Sequence, residues 1–310
     1  MKSAIAAVLL LLPMRIFAGD LVGLVYIDGA TTFSYPTPAS LVGIYLVDAQ
    51  GRRTGADPSR PPTVNPKTGM WQHTCCFVGE IPNLDASTER LDPDDNSGDY
   101  GNEAFKISGQ LPAGVYNLVV FSTVSYSVPY YVDFRPDDAA GKMNVTVFHS
   151  FLLQNTTATF TFNYDPTPGR VPTVAKILSF PILRQELRAA FQLGDIGGKK
   201  FVDELDGVLA QGEKALARTN RDTDNHHGDG DAAHGKREAV AKLREFVKRI
   251  ESAAKVKPGD VGRGRDRDDD DRRFATATAA QSLTADADAL IVQLGGKISR
   301  GRDDHGEGRH

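Results

Sequence analysis

The sequence lacks the motifs that identify common enzyme classes. It has no His-Glu-x-x-His segment of a zinc protease, no Gly-x-Ser-x-Gly segment of a serine hydrolase, no phosphate-binding glycine loop and no dinucleotide-binding fingerprint. We therefore predict no catalytic residues and a protein that is not an enzyme. A metal-dependent hydrolase whose site forms only on folding is an alternative. It would use His73 or His149, the two histidines of the N-terminal half.

Cysteine is also scarce, with two residues among 310. Cys75 and Cys76 are adjacent, so a bond between them closes only a strained ring and links no distant parts of the chain. One buried and one exposed thiol is the interpretation that we favour, and a vicinal or an intermolecular disulfide stays open. Together with His73 they are too few ligands to argue a metal site.

Long apolar runs are missing except at the N-terminus. Lys2 precedes an apolar run over residues 4–14, and the small residue Ala18 follows shortly after it. This order is typical of a signal peptide, here residues 1–18, and the run is shorter than the ~20 residues of a membrane span. We expect an exported protein, secreted or periplasmic, without a membrane span.

The net charge of -4 conceals two unlike halves. Residues 20–166 carry 8 basic and 16 acidic side chains, whereas residues 167–310 carry 26 basic and 24 acidic ones. This asymmetry indicates two domains. Neither half is basic enough to predict nucleic acid as a partner.

The first half has the pattern of short strands separated by turn residues. Alternating or β-branched segments occur at residues 21–28, 41–48, 105–108, 115–123, 129–134, 143–148 and 157–164. Segments at this spacing predict an antiparallel β-sandwich over residues 20–166, with an insertion at about 52–102. The chain as a whole is then predicted to be α+β, with the sandwich followed by a small helical bundle.

Two neighbouring segments carry a family resemblance. Glu-Ala-Phe-Lys-Ile at residues 103–107 is followed by Leu-Pro-Ala-Gly-Val-Tyr-Asn-Leu at residues 111–118. This pair of segments resembles the prealbumin-like sandwich of carboxypeptidase regulatory-like domains and Cna B-type repeats. The resemblance implies a fold, and a role as spacer, attachment module or carrier, rather than an activity.

The insertion contains an acidic tract with calcium-loop spacing. Its oxygen-bearing residues at places 1, 3, 5 and 12 of such a loop are Asp92, Asp94, Asn96 and Glu103. Ser97 replaces the glycine that the turn needs, and Asp99 replaces a packing residue. The tract therefore has two interpretations, a weak Ca²⁺ site or a solvated acidic turn, and Ca²⁺ is the one cofactor that the sequence suggests.

Four aromatic residues form the other candidate site, namely Trp71, Tyr126, Tyr130 and Tyr131. Exposed aromatic rings stack on sugars or hold a protein partner. Strand alternation sends about half of such residues into the core, so a core role is the alternative for each of them.

The second half has helical periodicity after a proline-rich linker at residues 167–173. Four apolar stripes, from Leu183, Phe201, Val240 and Leu283 onward, predict a helical bundle over residues 174–297, before a disordered tail at 298–310. The order and spacing of these stripes over residues 194–297 resemble the FIMAH domain of secreted bacterial proteins. The resemblance implies no catalytic residues.

Charged segments interrupt this half. The loops at residues 222–234 and 263–273 are expected to be solvated, and the histidines of the first (His226, His227 and His234) are interpreted as part of a tolerated insertion rather than a metal site. Basic residues recur along the helix predicted at 236–257. We interpret them as the wet side of a bundle helix, and a basic face for an anionic surface is the alternative.

These observations lead to an expected function. We predict a secreted, non-catalytic binding or scaffolding protein that recognises a polysaccharide or another exported protein. A structural or adhesive cell-surface component is the first alternative, and the hydrolase named above is the second.

Overall fold

A computed structural model describes residues 21–26, 42–59, 63–64, 71–72, 77–90, 103–109, 111–122, 125–136, 146–165, 172–222, 229–255 and 273–298. In chain order the elements are β1 (Leu21–Tyr26), β2 (Val42–Asp48), β3 (Arg53–Ala56), β4 (Thr63–Val64), β5 (Trp71–Gln72), β6 (Phe77–Gly79), β7 (Leu84–Arg90), β8 (Glu103–Gly109), β9 (Gly114–Ser122), β10 (Val128–Pro136), β11 (Thr146–Leu152), β12 (Thr157–Tyr164), β13 (Ala175–Lys176), α1 (Phe180–Gln192), β14 (Ile196–Gly197), α2 (Lys199–Asp222), α3 (Asp229–Ala254), β15 (Phe274–Ala275) and α4 (Ala277–Gln293). Strands therefore dominate the first half of the chain and helices the second, which confirms the α+β class.

The larger strands form two antiparallel sheets. One has five strands in the order β11-β10-β1-β8-β7, and the other has six in the order β13-β12-β9-β2-β3-β6. Two further pairs, β4 with β5 and β14 with β15, stand apart from both sheets. We call the two larger sheets together the sheet unit, and α1 to α4 with β14 and β15 the helical unit.

The inner faces of the two sheets share one apolar core, because side chains alternate along each strand. In β2 the buried residues include Ile44 and Leu46, and in β12 they include Phe160 and Phe162. From the other sheet, β10 contributes Val128, Tyr130, Val132 and Phe134 to the same cluster. Burying each large apolar side chain stabilises the fold by roughly 1.5–3 kcal/mol.

The turn before β9 fixes one aromatic residue at the edge of this core. The Tyr116 hydroxyl donates a hydrogen bond of 2.8 Å to the carbonyl of Pro112, and its ring stacks on Phe162 with centroids 5.6 Å apart. Tyr116 is 4% exposed. The Leu-Pro-Ala-Gly-Val-Tyr stretch thus closes its own turn and seals the core with its last residue.

Several strands lie where the sequence predicts one long insertion. Between residues 52 and 102, β3 pairs with β2, β6 pairs with β3, and β7 pairs with β8. The predicted insertion at about 52–102 thus contains strands that the sequence analysis did not predict, and they extend an edge of each sheet. β3 and β6 were missed because they have only four and three residues, too few to show a period.

The four helices lie where the apolar stripes predict them. Ser179 caps α1 by accepting a hydrogen bond from the backbone N–H of Ile182, and Thr276 caps α4 by accepting one from Ala279. Each helix buries its apolar stripe in a second core cluster, with Leu187, Phe246 and Leu283 at 0% exposure. None of the helices in the described part of the chain has an apolar stretch as long as a bilayer crossing requires.

The bounds of α2 and α3 correct one expectation. The sequence predicts a solvated loop over residues 222–234, but α3 begins at Asp229, so the second half of that segment is helical. Asp222 is the last residue of α2. Helical structure thus extends through Gly230, His234 and Gly235, because a helix can propagate across a glycine at a cost of only about 1 kcal/mol each.

The two units meet along β11 and β13. Phe151 of β11 belongs to the helical unit's core cluster, together with Leu178 and Phe180. The two residues of β13 pair with Phe160 and Thr161 of β12, so the six-stranded sheet ends on the segment that leads into α1. We call this contact region the seam.

Candidate functional site

A cluster of ionisable side chains is buried in the seam. The ammonium of Lys176 donates to Glu186 Oε1 at 2.5 Å, to Asp286 Oδ2 at 2.6 Å and to Ser150 Oγ at 2.7 Å. Tyr130 lies beside these groups and is 0% exposed. We call these five residues the seam cluster. Its members come from β10, β11, β13, α1 and α4, so every part of the seam contributes.

Local structure explains why these polar side chains point inward. Along β13 and the residues after it, alternation exposes Ala175 and Ile177 and buries Lys176. On α1, Glu186 lies three residues after Leu183 and therefore on the same buried face. On α4, Asp286 has the same relation to Leu283.

Burial and charge together set the protonation of the cluster. Burial raises the pKa of Glu186 to about 8, and the nearby charge of Asp286 raises it further against the attraction of Lys176. Burial alone would lower the pKa of Lys176, but Glu186, Tyr130 and Asp286 raise it above its ordinary value. Below about pH 8 the cluster then holds one ammonium and one carboxylate, and its charges balance.

Further hydrogen bonds cross the seam beside the cluster. His149 Nδ1 hydrogen-bonds with Ser282 Oγ, and its ring lies 4.4 Å from that of Tyr131 between centroids. Ser127 Oγ donates to Gln192 Oε1 at 2.6 Å. The two hydrogen bonds join β11 to α4 and the loop before β10 to α1, so the polar contacts of the seam extend beyond the charged groups.

The cluster superficially contains the parts of a catalytic pair. A lysine beside a serine is one way in which proteins activate a nucleophilic hydroxyl. Here the carboxylate partners keep Lys176 protonated, so it is not a base, and Ser150 is 1% exposed. The arrangement holds charges together rather than presenting them to a substrate.

A groove in the helical unit is separate from this cluster. Its volume is about 420 Å³, and its lining consists of Phe201, Glu204, Arg249, Ser252, Ala253 and Arg273. Glu204 accepts from Arg273 at 2.8 Å and from Arg249 at 3.5 Å. The charges of the groove are thus paired with each other.

The four predicted aromatic residues do not form one platform. Tyr126 is 52% exposed, but Tyr130 is 0% exposed and packs in the sheet core. Tyr131, on the opposite face of β10, is half-buried against His149. The assignment of Tyr130 to a ligand surface is therefore wrong, and its place in β10 explains why. Trp71 is in β5, and its side chain lies outside the described part.

Three of the four predicted Ca²⁺ ligands, Asp92, Asp94 and Asn96, lie outside the described residues. The residues for which a metal site was considered and not favoured also lie outside them, namely His73, Cys75, Cys76, His226 and His227. The backbone of Glu103 begins β8 and pairs in register with Arg90. Within the described ranges, no three His, Cys, Asp or Glu side chains lie together in a way that could hold a metal ion.

Comparison with protein-family models, with curated proteins and with solved structures gave no match. The resemblances to the prealbumin-like sandwich and to the FIMAH domain therefore stay predictions from the sequence. Function has to be argued from the geometry of the chain itself.

Proposed function

We propose that the protein is a secreted, non-catalytic binding or scaffolding protein that recognises a polysaccharide or another exported protein. In this proposal the two large sheets form a prealbumin-like β-sandwich, and the helical unit is fixed rigidly against it. The observation that carries the proposal is the seam cluster, in which Lys176 is enclosed by Glu186, Asp286 and Ser150.

Rigidity follows from the cost of opening the seam. Separating the units would leave an ammonium and a carboxylate without their partners, and a buried pair broken on one side destabilises a protein by roughly 3–5 kcal/mol. Ionic groups placed inside a contact also fix its register, because only one alignment pairs every charge. A rigid joint between two units is the requirement of a scaffold that presents its outer surface to a partner.

The outer surface offers one exposed aromatic residue close to this joint. Tyr126 adjoins Ser127, whose hydroxyl donates to Gln192 of α1. Leu193 follows Gln192 and is 36% exposed. An aromatic ring and an aliphatic side chain on either side of a rigid joint are suited to contact a sugar ring or an apolar side chain of a partner.

Binding assays on the chain lacking residues 1–18 test this proposal. We expect the chain to retain a polysaccharide on a glycan array or an exported protein in a pull-down. Tyr126→Ala should weaken binding, and Tyr126→Phe should preserve it because the ring remains. Wild-type unfolding temperatures for both variants are the control, as expected for an exposed residue.

Two results of these assays would contradict the proposal and favour one of the alternative functions predicted from the sequence. Self-association, or binding only to intact cell surfaces, would favour a structural or adhesive component. Release of a cleaved product from any bound polysaccharide would establish an enzyme instead.

A further inference from the structure

The exposed face of α3 carries an aligned row of basic side chains. Arg237, Arg244, Lys248 and Lys255, the last just after the helix, are all exposed. Successive members are 7, 4 and 7 residues apart, so at 3.6 residues per turn they lie within about 40° of one another. At 1.5 Å per residue the row is about 27 Å long. We call these four residues the basic stripe.

The stripe is opposite the side by which α3 packs on its neighbours. Leu243, Phe246 and Ile250 are each 0% exposed and lie roughly half a turn away from the stripe. The stripe therefore projects into solvent along its whole length. Among the described residues, the contact given for this side is the hydrogen bond from Arg244 to the carbonyl of Lys297.

The basic stripe is also not neutralised within the described part of the chain. None of its four residues takes part in the ion pairs recorded for the described residues. The guanidinium groups of Arg237 and Arg244 each donate one hydrogen bond, to the carbonyls of Ala233 and Lys297 respectively, and both keep other N–H groups for a ligand. Glu251 is the one acidic residue among the exposed residues of this face.

The other helices differ from this arrangement. The exposed charged residues described on α2 are also mostly basic, but they spread over about 100° around the helix; they are Lys199, Lys200, Lys214 and Arg218, with Asp203. Two of these cations are paired, Lys199 with Asp203 at 2.7 Å and Arg218 with Glu238 at 3.9 Å. On α4 the exposed residues carry no charge. The basic stripe differs from α2 because its four cations lie within about 40° of one another and none of them has an ion pair among the described residues.

We propose that the basic stripe binds an acidic polysaccharide, with the arginines contacting sugar carboxylates. This inference rests on the proposed binding function and specifies its ligand. A guanidinium recognises a carboxylate in two-point geometry, and a row of cations 27 Å long matches a linear polymer that repeats its charge.

Two other polyanions fit the stripe less well. Binding of single-stranded nucleic acid uses exposed aromatic rings for stacking, but the aromatic residue of α3, Phe246, is buried. Attachment to an anionic membrane uses large apolar side chains beside the cations, and the exposed apolar residues of α3 are alanines such as Ala241. A ligand of carboxylates and hydroxyls needs neither feature.

Affinity measurements with defined polymers test the inference on the full chain without residues 1–18. The probes are polygalacturonate, neutral dextran of matched length, single-stranded DNA and vesicles containing phosphatidylserine. We expect polygalacturonate to bind most tightly and to lose about tenfold in affinity between low and physiological salt, as screened surface charges do. Tighter binding of DNA or vesicles would overturn the polysaccharide assignment.

Two double variants with the same change of net charge distinguish binding at the basic stripe from a general effect of the protein's charge. R244E/K248E should weaken polygalacturonate binding at least about tenfold, because two attractions become repulsions. K200E/K214E makes the same change of net charge on exposed positions of α2 and should leave affinity within about twofold. Equal losses in both double variants would contradict a localised site.

The result also distinguishes this inference from the function on which it rests. If the chain binds dextran or an exported protein, but R244E/K248E binds polygalacturonate as well as the wild type does, the scaffold proposal holds and the stripe assignment fails. If the chain binds no polysaccharide and no exported protein, both fail. Unfolding temperatures within the wild-type range show that the variants are folded.

Discussion

The sheet unit and the seam bury their side chains in different ways. The sheet core is a continuous apolar cluster in which residues such as Ile44, Val120 and Phe160 are 0% exposed. The seam instead encloses Lys176, Glu186 and Asp286 among apolar neighbours. An apolar core tolerates many alignments of similar volume, whereas buried charges must meet their partners. The comparison suggests that the sheet core supplies most of the stability and the seam supplies the fixed orientation.

The largest loss of stability is expected when the cation of the seam, Lys176, is removed. Lys176→Ala leaves a buried carboxylate without its counter-charge, and we expect the free energy of unfolding to fall by roughly 3–5 kcal/mol. Urea unfolding measured on the wild-type and variant chains checks this value.

The control for Lys176→Ala is a triple variant in which apolar residues replace all three ionisable residues of the ion pairs, Lys176, Glu186 and Asp286. In K176M/E186L/D286L no charge is left unpaired, so stability should return to within about 1–2 kcal/mol of wild type or exceed it. A triple variant that is as unstable as Lys176→Ala would show that the cluster stabilises the seam by more than the pairing of its own charges.

The sheet core should respond next most strongly, to Tyr116→Ala. The ring stacks on Phe162 and is 4% exposed, so its loss should cost ~3 kcal/mol or more. Tyr116→Phe keeps the ring and loses only the hydrogen bond to Pro112, for which we expect about 1 kcal/mol. Thermal unfolding of both variants is the measurement, and an unchanged melting temperature in Tyr116→Ala would contradict the core assignment.

The sequence predicts the buried residues of the sheet core better than it predicts those of the seam. The alternation that places Phe160 and Phe162 in the core can be recognised from the sequence, and so can the apolar stripes of the four helices. The same reasoning fails for Glu186 and Asp286, because it assigns acidic side chains to the wet face of a helix. Nothing in a single sequence shows that a lysine from a two-residue strand will pair with both.

The aromatic residues of β10 show the same limit on a smaller scale. Tyr130 and Tyr131 are adjacent tyrosines whose side chains point to opposite faces of β10. The register of β10 in the sheet therefore determines which of them is buried. The structure buries Tyr130 and leaves Tyr131 beside His149. Composition can indicate an aromatic surface, but register determines which residues belong to it.

A pH titration of stability distinguishes the two regions without altering the sheet core. The pKa of Glu186 is about 8 in the folded chain and is expected near its ordinary 4.5 when unfolded. The folded state therefore binds the extra proton between these values, and stability should fall as pH rises from about 4.5 to about 8, by up to about 1.4 kcal/mol per pH unit.

Two comparisons make this titration specific to the seam. Glu186→Gln cannot ionise, so its stability should be flatter than that of wild type across the same window. Hydrogen bonds with Arg184 lower the pKa of Asp206, so that group loses stability only as pH falls, through an acidic range outside this window. Identical slopes for wild type and Glu186→Gln would mean that Glu186 does not hold the proton in the folded chain.

The smallest effect is expected far from both regions, at the histidines of the charged segment before and within α3. Replacement of His226, His227 and His234 together by alanine should change the unfolding temperature and partner binding by no more than experimental error. His234 is exposed on α3, and alanine is at least as good a helix former, so the helix has no reason to shorten. Ordering a site at the other two positions would cost roughly 1–2 kcal/mol per residue in backbone entropy, with no apolar side chain in residues 222–230 to offset it.

The measurement is thermal unfolding with and without added Zn²⁺, together with metal analysis of the purified protein. A stabilisation by Zn²⁺ that disappears in the triple variant would establish a metal site there and would give the helical unit a second polar stabilising element beside the seam.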